Sequence, residues 1–413
     1  MNEPKLRFKA DDGSQFPDWE EKKLGDITEK VVRKDANSNA DVRMISQGNG
    51  FILQSDKYSR ENAGQSLKKY TLLKRDEFAY NHGASKVKPY GVCYRLCESD
   101  EARVPYVYHT FKLIDGDLGF WNYSLNTSCM DRQLKKMVSS GARMDGLLNI
   151  GYDAYMSVDI HVPSLPEQQK IAEFLSTIDT VIEKQKETVS AWEERKKGVM
   201  QKLFSQEVRF KADDGSDFPE WEEKKLGDVA DFFNGDRSAR YPKETDFVKY
   251  GVAFLNTENL HNTIVDISEK CKYITYEKYC ELSGAKIQLL DIIYCLRGSV
   301  GLCSLNTILE EGTVASSLMV IRAVEGIIDP IYLYNSLNSD FVLGQLYQCL
   351  NGSCAGNLSA KDMAMFKIKC PCLAEQQKIA DCLSSLDEVI EKQKATLAAW
   401  EELKKGLLQQ MFV

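Results

Sequence analysis

PSLPEQQKIAEFLSTIDTVIEKQKETVSAWEERKKGVMQKLF, residues 163–204, is written again as PCLAEQQKIADCLSSLDEVIEKQKATLAAWEELKKGLLQQMF, residues 371–412, with 27 identities in 42 positions. In the first copy Ile171, Leu175, Ile178, Ile182, Gln185, Val189 and Trp192 recur at alternating spacings of four and three. The second copy keeps that register at Ile379, Leu383, Leu386, Ile390, Gln393, Leu397 and Trp400. Such spacing is the seam of a coiled coil, so each copy is predicted to be one long helix. Pro166 suits the first turn, where a missing N–H costs nothing. About 38 residues at 1.5 Å each make a rod of about 57 Å. Two copies in one chain pack most simply against each other, and pseudo-twofold symmetry makes them antiparallel. Gln185 and Gln393 are the polar mid-seam residues expected to fix register.

A second repeat precedes each variable stretch. RFKADDGSQFPDWEEKKLGDI, residues 7–27, and RFKADDGSDFPEWEEKKLGDV, residues 209–229, agree at 18 of 21 positions. We read it as an extended segment that sets its aromatics on the long helices, with a turn at Leu-Gly-Asp. Trp19 and Trp221 are packing residues in this reading. The chain therefore divides into a frame segment (1–27), a variable region (28–162), a central long helix (163–204), a second frame segment (205–229), a second variable region (230–370) and a C-terminal long helix (371–413). The junction SQEVRFKADDGS beside the opening MNEPKLRFKADDGS suggests a cyclic arrangement cut open at the N-terminus.

The variable regions share no sequence pattern. Both hold short β-like runs, GFILQ, FAYNH, GVCYRL and YVYHTFKLI in the first and GVAFLN, TIVDIS, DIIYCLRG and SLMVIRAV in the second, separated by Gly, Asn, Asp and Ser. Helical patches are expected within ARVPYVYHTFKLI and PIYLYNSLNSDFVLGQLYQCL.

With 413 residues, 43% of them apolar and 28% charged, the chain is large enough for two or more cores. No run of 18 apolar residues occurs, so no membrane span is expected, and the polar N-terminus predicts a cytoplasmic protein. The twelve cysteines are read as reduced thiols in core positions. With four histidines in no paired spacing, no metal site is predicted. No phosphate loop, G-x-G-x-x-G or H-E-x-x-H occurs, nor the Asn/Asp-Pro-Pro-Tyr/Phe tetrapeptide of amino-methyltransferases, so the chain is not expected to be an enzyme.

A net charge of −8 argues by itself against nucleic acid. The excess sits in the repeated frame, however: residues 28–160 carry +3 and residues 229–370 carry −3. Arg on guanine and Asn on adenine are the expected base-edge pairings. The candidates for DNA contact in the first variable region are Asn81, His82, Ser85, Lys86, Lys88, Arg132, Lys135, Lys136 and Arg143. In the second they are Asn234, Arg237, Arg240, Tyr241, Asn256, Asn259, Arg297 and Ser299.

The lead P-x-L-x-E-Q-x-x-I-A into each long helix (Pro163, Leu165, Glu167, Gln168, Ile171, Ala172; Pro371, Leu373, Glu375, Gln376, Ile379, Ala380), with FPDWEEKKLGDI and FPEWEEKKLGDV before each variable region, resembles the specificity subunit of type I restriction–modification systems. The resemblance spans essentially the whole chain. It implies an α+β protein of two globular target-recognition domains related by pseudo-twofold symmetry and separated by two long antiparallel coiled-coil helices. It implies a non-catalytic reader of double-stranded DNA, each domain taking half of an asymmetric bipartite site while the helices set the gap. Two methyltransferase subunits would dock on the frame, and restriction/translocase subunits would join them. S-adenosylmethionine, ATP and Mg would be used by those partners and not by this chain. The alternative reading of the residues is a non-DNA coiled-coil scaffold with two divergent protein-binding heads.

Overall fold

The structure is a computed structural model that describes residues 4–35, 38–46, 48, 50–57, 64–83, 88–138, 148–268, 271–352 and 357–412. The chain folds as two compact units, and these do not follow chain order. Unit 1 comprises residues 1–186 and 395–413, and unit 2 comprises residues 187–394.

The repeats form two helices, Leu165–Phe204 and Leu373–Met411. Each unit holds the first half of one and the second half of the other. All fourteen seam residues are buried or half-buried, with Leu175 and Leu383 wholly inside and Gln185 and Gln393 half-buried. The pairing is antiparallel within each unit. In unit 1, Ile171 and Leu175 share a core cluster with Leu407 and Met411, and Lys404 is ion-paired to Asp179. In unit 2, Ile379 and Leu383 share a cluster with Val199 and Leu203, and Lys196 Nζ reaches both oxygens of Asp387 at 2.6 and 2.8 Å. These two ion pairs join equivalent positions of the repeats.

The frame segments behave alike. Glu20–Lys23 pairs antiparallel with Asp159–Val162 in unit 1, and Glu222–Lys225 with Lys367–Cys370 in unit 2. A short 3-10 turn follows each strand at Leu-Gly-Asp. There Gly227 packs so close to the next helix that a Cβ would lie 3.0 Å from Ala364 Cβ. The extended segment and its turn, read from the sequence, are both present.

The variable regions fold on one plan despite their unlike sequences. In unit 1 the main sheet runs in the order Thr28–Lys30, His109–Leu113, Phe78–Asn81, Val92–Arg95. In unit 2 the order is Ala230–Asn234, Leu318–Ala323, Ile292–Cys295, Cys303–Leu305. Side chains alternate along a strand. In unit 2, Ile292, Tyr294, Met319 and Ile321 therefore enter the cluster beneath the long helices, while Ile293, Cys295, Leu318 and Val320 enter a second one. A sheet covered on both faces needs continuous apolar runs, and IIYC and LMVI supply them. Unit 1 adds the hairpin Arg43–Ser46/Gly50–Leu53 and the pair Thr71–Lys74/Glu101–Val104. Unit 2 adds a second sheet ordered Phe247–Val248, Lys272–Ile274, Val252–Leu255, Gly312–Val314, whose last pair is parallel.

Three sequence readings need correction. ARVPYVYHTFKLI holds no helix but two strands, Glu101–Val104 and His109–Leu113, because Pro105 and the turn after it break any helical period. TIVDIS forms only an isolated bridge from Ile264 to Leu305. Among the cysteines, Cys93, Cys271, Cys295, Cys303 and Cys370 are buried thiols, but Cys97 and Cys280 are exposed and Cys349 is disulfide-bonded. PIYLYNSLNSDFVLGQLYQCL forms two helices, Pro330–Leu337 and Asp340–Asn351, as its periodicity predicts.

Candidate DNA interface and docking frame

The Glu-Gln of each P-x-L-x-E-Q lead is the centre of a clamp. Glu375 is wholly buried at the start of its helix. It accepts from Arg209 Nε at 3.1 Å and Nη2 at 2.9 Å, and from Trp221 Nε1 at 2.9 Å. Arg209 also donates to the Pro219 carbonyl at 2.6 Å, closing the frame segment into a loop on the helix. Unit 1 repeats this with Glu167, which accepts from Arg7 at 3.0 and 2.9 Å and from Trp19 Nε1 at 3.2 Å. A buried carboxylate is tolerable only with such donors around it.

The neighbouring glutamine ties the clamp to the variable region. Gln376 Oε1 accepts from the Asp329 N–H at 2.8 Å and its Nε2 donates to Pro371 O at 2.8 Å. Gln168 does the same with Asp117 and Pro163, both at 2.8 Å. Asp117 and Asp329 are themselves the N-caps of helices Leu118–Ser124 and Pro330–Leu337. The motif therefore seats each variable region on its helix by the same residue types, Arg, Trp, Glu, Gln and Asp. Spacing alone could not reveal this, because Glu and Gln before an amphipathic helix read as a solvated first turn.

The candidate DNA-contact residues separate into three groups. Ser85, Lys86 and Arg143 lie outside the described residues. Several others make structural contacts within their unit. His82 is buried, with Nδ1 2.8 Å from Leu148 O and Nε2 2.9 Å from Val107 O, and it stacks on His109. Asn259 is buried, accepting from Asn256 N and donating to Asp266 O, both at 2.8 Å. Asn256 caps the following turn, accepting from Glu258 N at 2.7 Å. Tyr241 packs edge-on against Phe254. Asn81 folds back on Gly83 N at 3.0 Å, and Lys88 donates to Asn126 O at 3.1 Å. Asn and His satisfy buried backbone groups as readily as they read bases, so residue type alone cannot separate the two roles.

The third group is exposed. In unit 1, Arg132, Lys135 and Lys136 project from the helix Ser128–Met137. In unit 2, Asn234, Arg237 and Arg240 lie at and beyond the end of the strand Ala230–Asn234, and Arg297 and Ser299 on a tight turn with Gly298 at φ +79°. Asn234 and Arg237 line a cavity of about 550 Å³ together with Lys286 and Arg322. Sequence reasoning missed Arg322, which lies 4.8 Å over the Phe233 ring and is held by Asp291 at 2.8 and 2.7 Å. The signal was hidden in a strand that otherwise reads as core.

Asp236 makes this turn rigid. Its buried carboxylate accepts from Ser238 N at 2.6 Å, Ser283 N at 2.8 Å and Ser283 Oγ at 3.1 Å. Burial pushes the carboxyl up, but the donors of Ser238 and Ser283 outweigh it and hold it well below the usual carboxylate range. A depressed native value adds stability above the unfolded value near 3.9, which is lost as pH falls through the native one. Asp236→Asn is therefore expected to cost unit 2 about 1–2 kcal/mol at pH 7. Denaturant titrations across pH should show that gap closing below about pH 4. A gap that stays constant with pH would refute this account.

Among the described residues no group of three His, Cys, Asp or Glu side chains could hold a metal. No described helix is long and apolar enough to cross a membrane.

Comparison with known proteins agrees with this geometry. Residues 219–399 match the family model described as the type I restriction modification DNA specificity domain. The chain is 25% identical over 307 residues to the type I restriction enzyme MjaVIII specificity subunit of Methanocaldococcus jannaschii, covering 72% of this chain and 69% of that protein. It is also 25% identical over 259 residues to the putative MjaX specificity subunit of the same organism, covering 60% and 57%. The fold is similar to the crystal structure of a type I restriction–modification S subunit from M. genitalium, with a TM-score of 0.56 at 16% identity over 100% of this chain and 99% of that one. A second solved structure, from a study of type I complex assembly and conformational transition, gives a TM-score of 0.54 at 16% identity over 96% and 98%. Residues 219–399, the second variable region with most of the frame around it, are thus similar to the type I restriction modification DNA specificity domain, and the first half of the chain repeats that frame.

Proposed function

We propose that this chain is the DNA sequence-recognition subunit of a type I restriction–modification complex. Each variable region reads one half of an asymmetric bipartite site on double-stranded DNA, and the long helices set the gap. The chain itself is non-catalytic. Two methyltransferase subunits dock on the two equivalent frames, and restriction/translocase subunits complete the assembly. S-adenosylmethionine, ATP and Mg are used by those partners.

The observation that carries this reading is the duplicated clamp holding unlike surfaces. Arg7–Glu167–Trp19 and Arg209–Glu375–Trp221 superimpose in role, whereas the exposed basic residues of units 1 and 2 differ in kind and place. Identical frames suit identical partners, and unlike surfaces suit unlike half-sites. A chain of net charge −8 leaves much of the phosphate contact to those partners.

The test is to co-express the chain with a candidate methyltransferase subunit and map methylated adenines across a genome. A two-part motif with one fixed gap is expected. No motif, or a continuous one, refutes the proposal and favours the scaffold reading.

A further inference from the structure

Unit 2 gathers Arg237 and Arg297 at one end of its main sheet, although they follow different strands. Ala230–Asn234 and Ile292–Cys295 both pair antiparallel with Leu318–Ala323, one on each side, so they run parallel to each other. Their C-terminal ends therefore reach the same edge: Asn234 lies opposite Met319, and Cys295 opposite Leu318. Beyond each strand the chain stays tied to the segment that enters Leu318–Ala323. Gly235 N donates to Leu318 O at 3.2 Å and Leu296 N to Ser317 O at 2.9 Å, while Arg237 Nη2 donates to Ser316 O at 3.3 Å. Two strands that flank a third stand about 10 Å apart. Arg237 and Arg297 are thus anchored about that far from each other, on either side of Ser316 and Ser317.

The opposite end of the sheet belongs to the frame. The strand Ala230–Asn234 follows the Leu226–Asp228 turn, and Val324 N donates to Val229 O at 2.9 Å. Four residues of strand put Asn234 about 13 Å from that end. A partner seated on the frame is therefore separated from the arginines by the length of the strand.

What the arginine end offers is hydrogen-bond donors. Arg297 and Ser299 are exposed, and their side chains have no partner among the described residues. Arg237 is exposed and commits one nitrogen to Ser316 O. Asp236, next to it in the chain, is buried and turns its carboxylate to Ser238 and Ser283. Arg322 and Lys286, which line the neighbouring cavity with Arg237, are engaged elsewhere, Arg322 by Asp291 and Lys286 Nζ by the Tyr279 carbonyl. Guanidinium groups and serine hydroxyls are the usual partners of phosphate oxygens on DNA, and a guanidinium fits a phosphate with two parallel bonds. A base edge mixes donors with acceptors. A phosphate presents acceptors alone, which suits this set.

We propose that Arg237 and Arg297 each hold a backbone phosphate of the half-site taken by unit 2, so that this end of the sheet orients the unit on the duplex without reading its bases. The inference rests on the DNA-recognition function proposed above.

The test uses the full chain assembled with its methyltransferase and two fluorescein-labelled duplexes, one carrying the bipartite site and one of unrelated sequence. Binding is followed by fluorescence polarisation across salt concentrations. Each phosphate contact contributes about 0.9 to the slope of log K against log salt. Arg237→Gln and Arg297→Gln are each expected to flatten the slope by about 0.9, and the double variant by about 1.8, on both duplexes alike. The methylated motif should stay the same. A slope unchanged in either variant overturns the inference. So does a loss confined to the site duplex, or a relaxed base in the methylated half-site, which would make the arginines base readers. Arg237→Gln also loses the bond to Ser316 O; should it fail to fold, Arg297→Gln decides by itself. A complex that methylates a bipartite site with unaltered slopes overturns this inference alone, whereas a complex that binds neither duplex overturns the proposed function as well.

Discussion

Glu375→Ala is expected to destabilise unit 2 by about 3–5 kcal/mol, the usual cost of removing one partner of a buried ion pair. Three hydrogen bonds end on this carboxylate, from two Arg209 nitrogens and from Trp221 Nε1. Its removal strands a largely buried guanidinium and an indole N–H and frees the frame segment from the helix. Glu220 also lies near Arg209, at 3.4 Å, yet its side chain is 91% exposed. Solvent screening limits such a pair to about 0–1 kcal/mol. Glu220→Ala is thus the control, expected to change stability by less than about 0.5 kcal/mol. Urea unfolding followed by tryptophan fluorescence distinguishes the two. Equal effects would show that the clamp is not the seat of unit 2. The double change Arg209→Met with Glu375→Leu should recover most of the loss, since an apolar pair leaves no stranded charge. Glu167→Ala should reproduce the result in unit 1, where the same partners surround the carboxylate.

The second large effect concerns the gap between half-sites. Deleting residues 186–192 together with 394–400 removes equivalent heptads from the two helices. Seven residues are close to two helical turns, so residues beyond each deletion keep their facing. Each helix loses about 10 Å of its own length. At about 34 Å per ten base pairs of DNA, the methylated motif should keep both half-sites and lose about three base pairs from its gap. Methylation should also slow, because three base pairs rotate one half-site by about a third of a turn, which twisting of the DNA must absorb. An unchanged gap would refute the helices as its determinant. A changed half-site would instead place sequence reading in the helices.

Most of the frame was legible because repetition and period are properties of the chain itself. The spacing of Ile171, Leu175, Ile178 and Ile182 announces a helix whatever it packs against. The runs IIYC and LMVI announce strands covered on both faces. The clamp was not legible: the spacing around Glu167 and Glu375 does not show that Arg7 and Arg209, 160 and 166 residues away, close on them. The burial of the candidate DNA-contact residues was not legible from their type. Arg132, Lys135, Lys136 and Arg237 are exposed, whereas His82 and Asn259 are buried and Asn256 and Tyr241 half-buried. A polar side chain is claimed by whichever unsatisfied backbone group the fold brings near it, and that is settled by distant chain segments.

The sequence by itself determined that one frame is written twice around two unlike inserts, because a repeat and its helical register need no partner to be read. Only the tertiary structure decided that the inserts share one sheet order and that Glu-Gln is the buried seat of each. Strand order, burial and the pairing of polar groups depend on which remote residues meet. Unlike sequences reach the same order because a doubly covered strand asks only for apolar side chains on both faces.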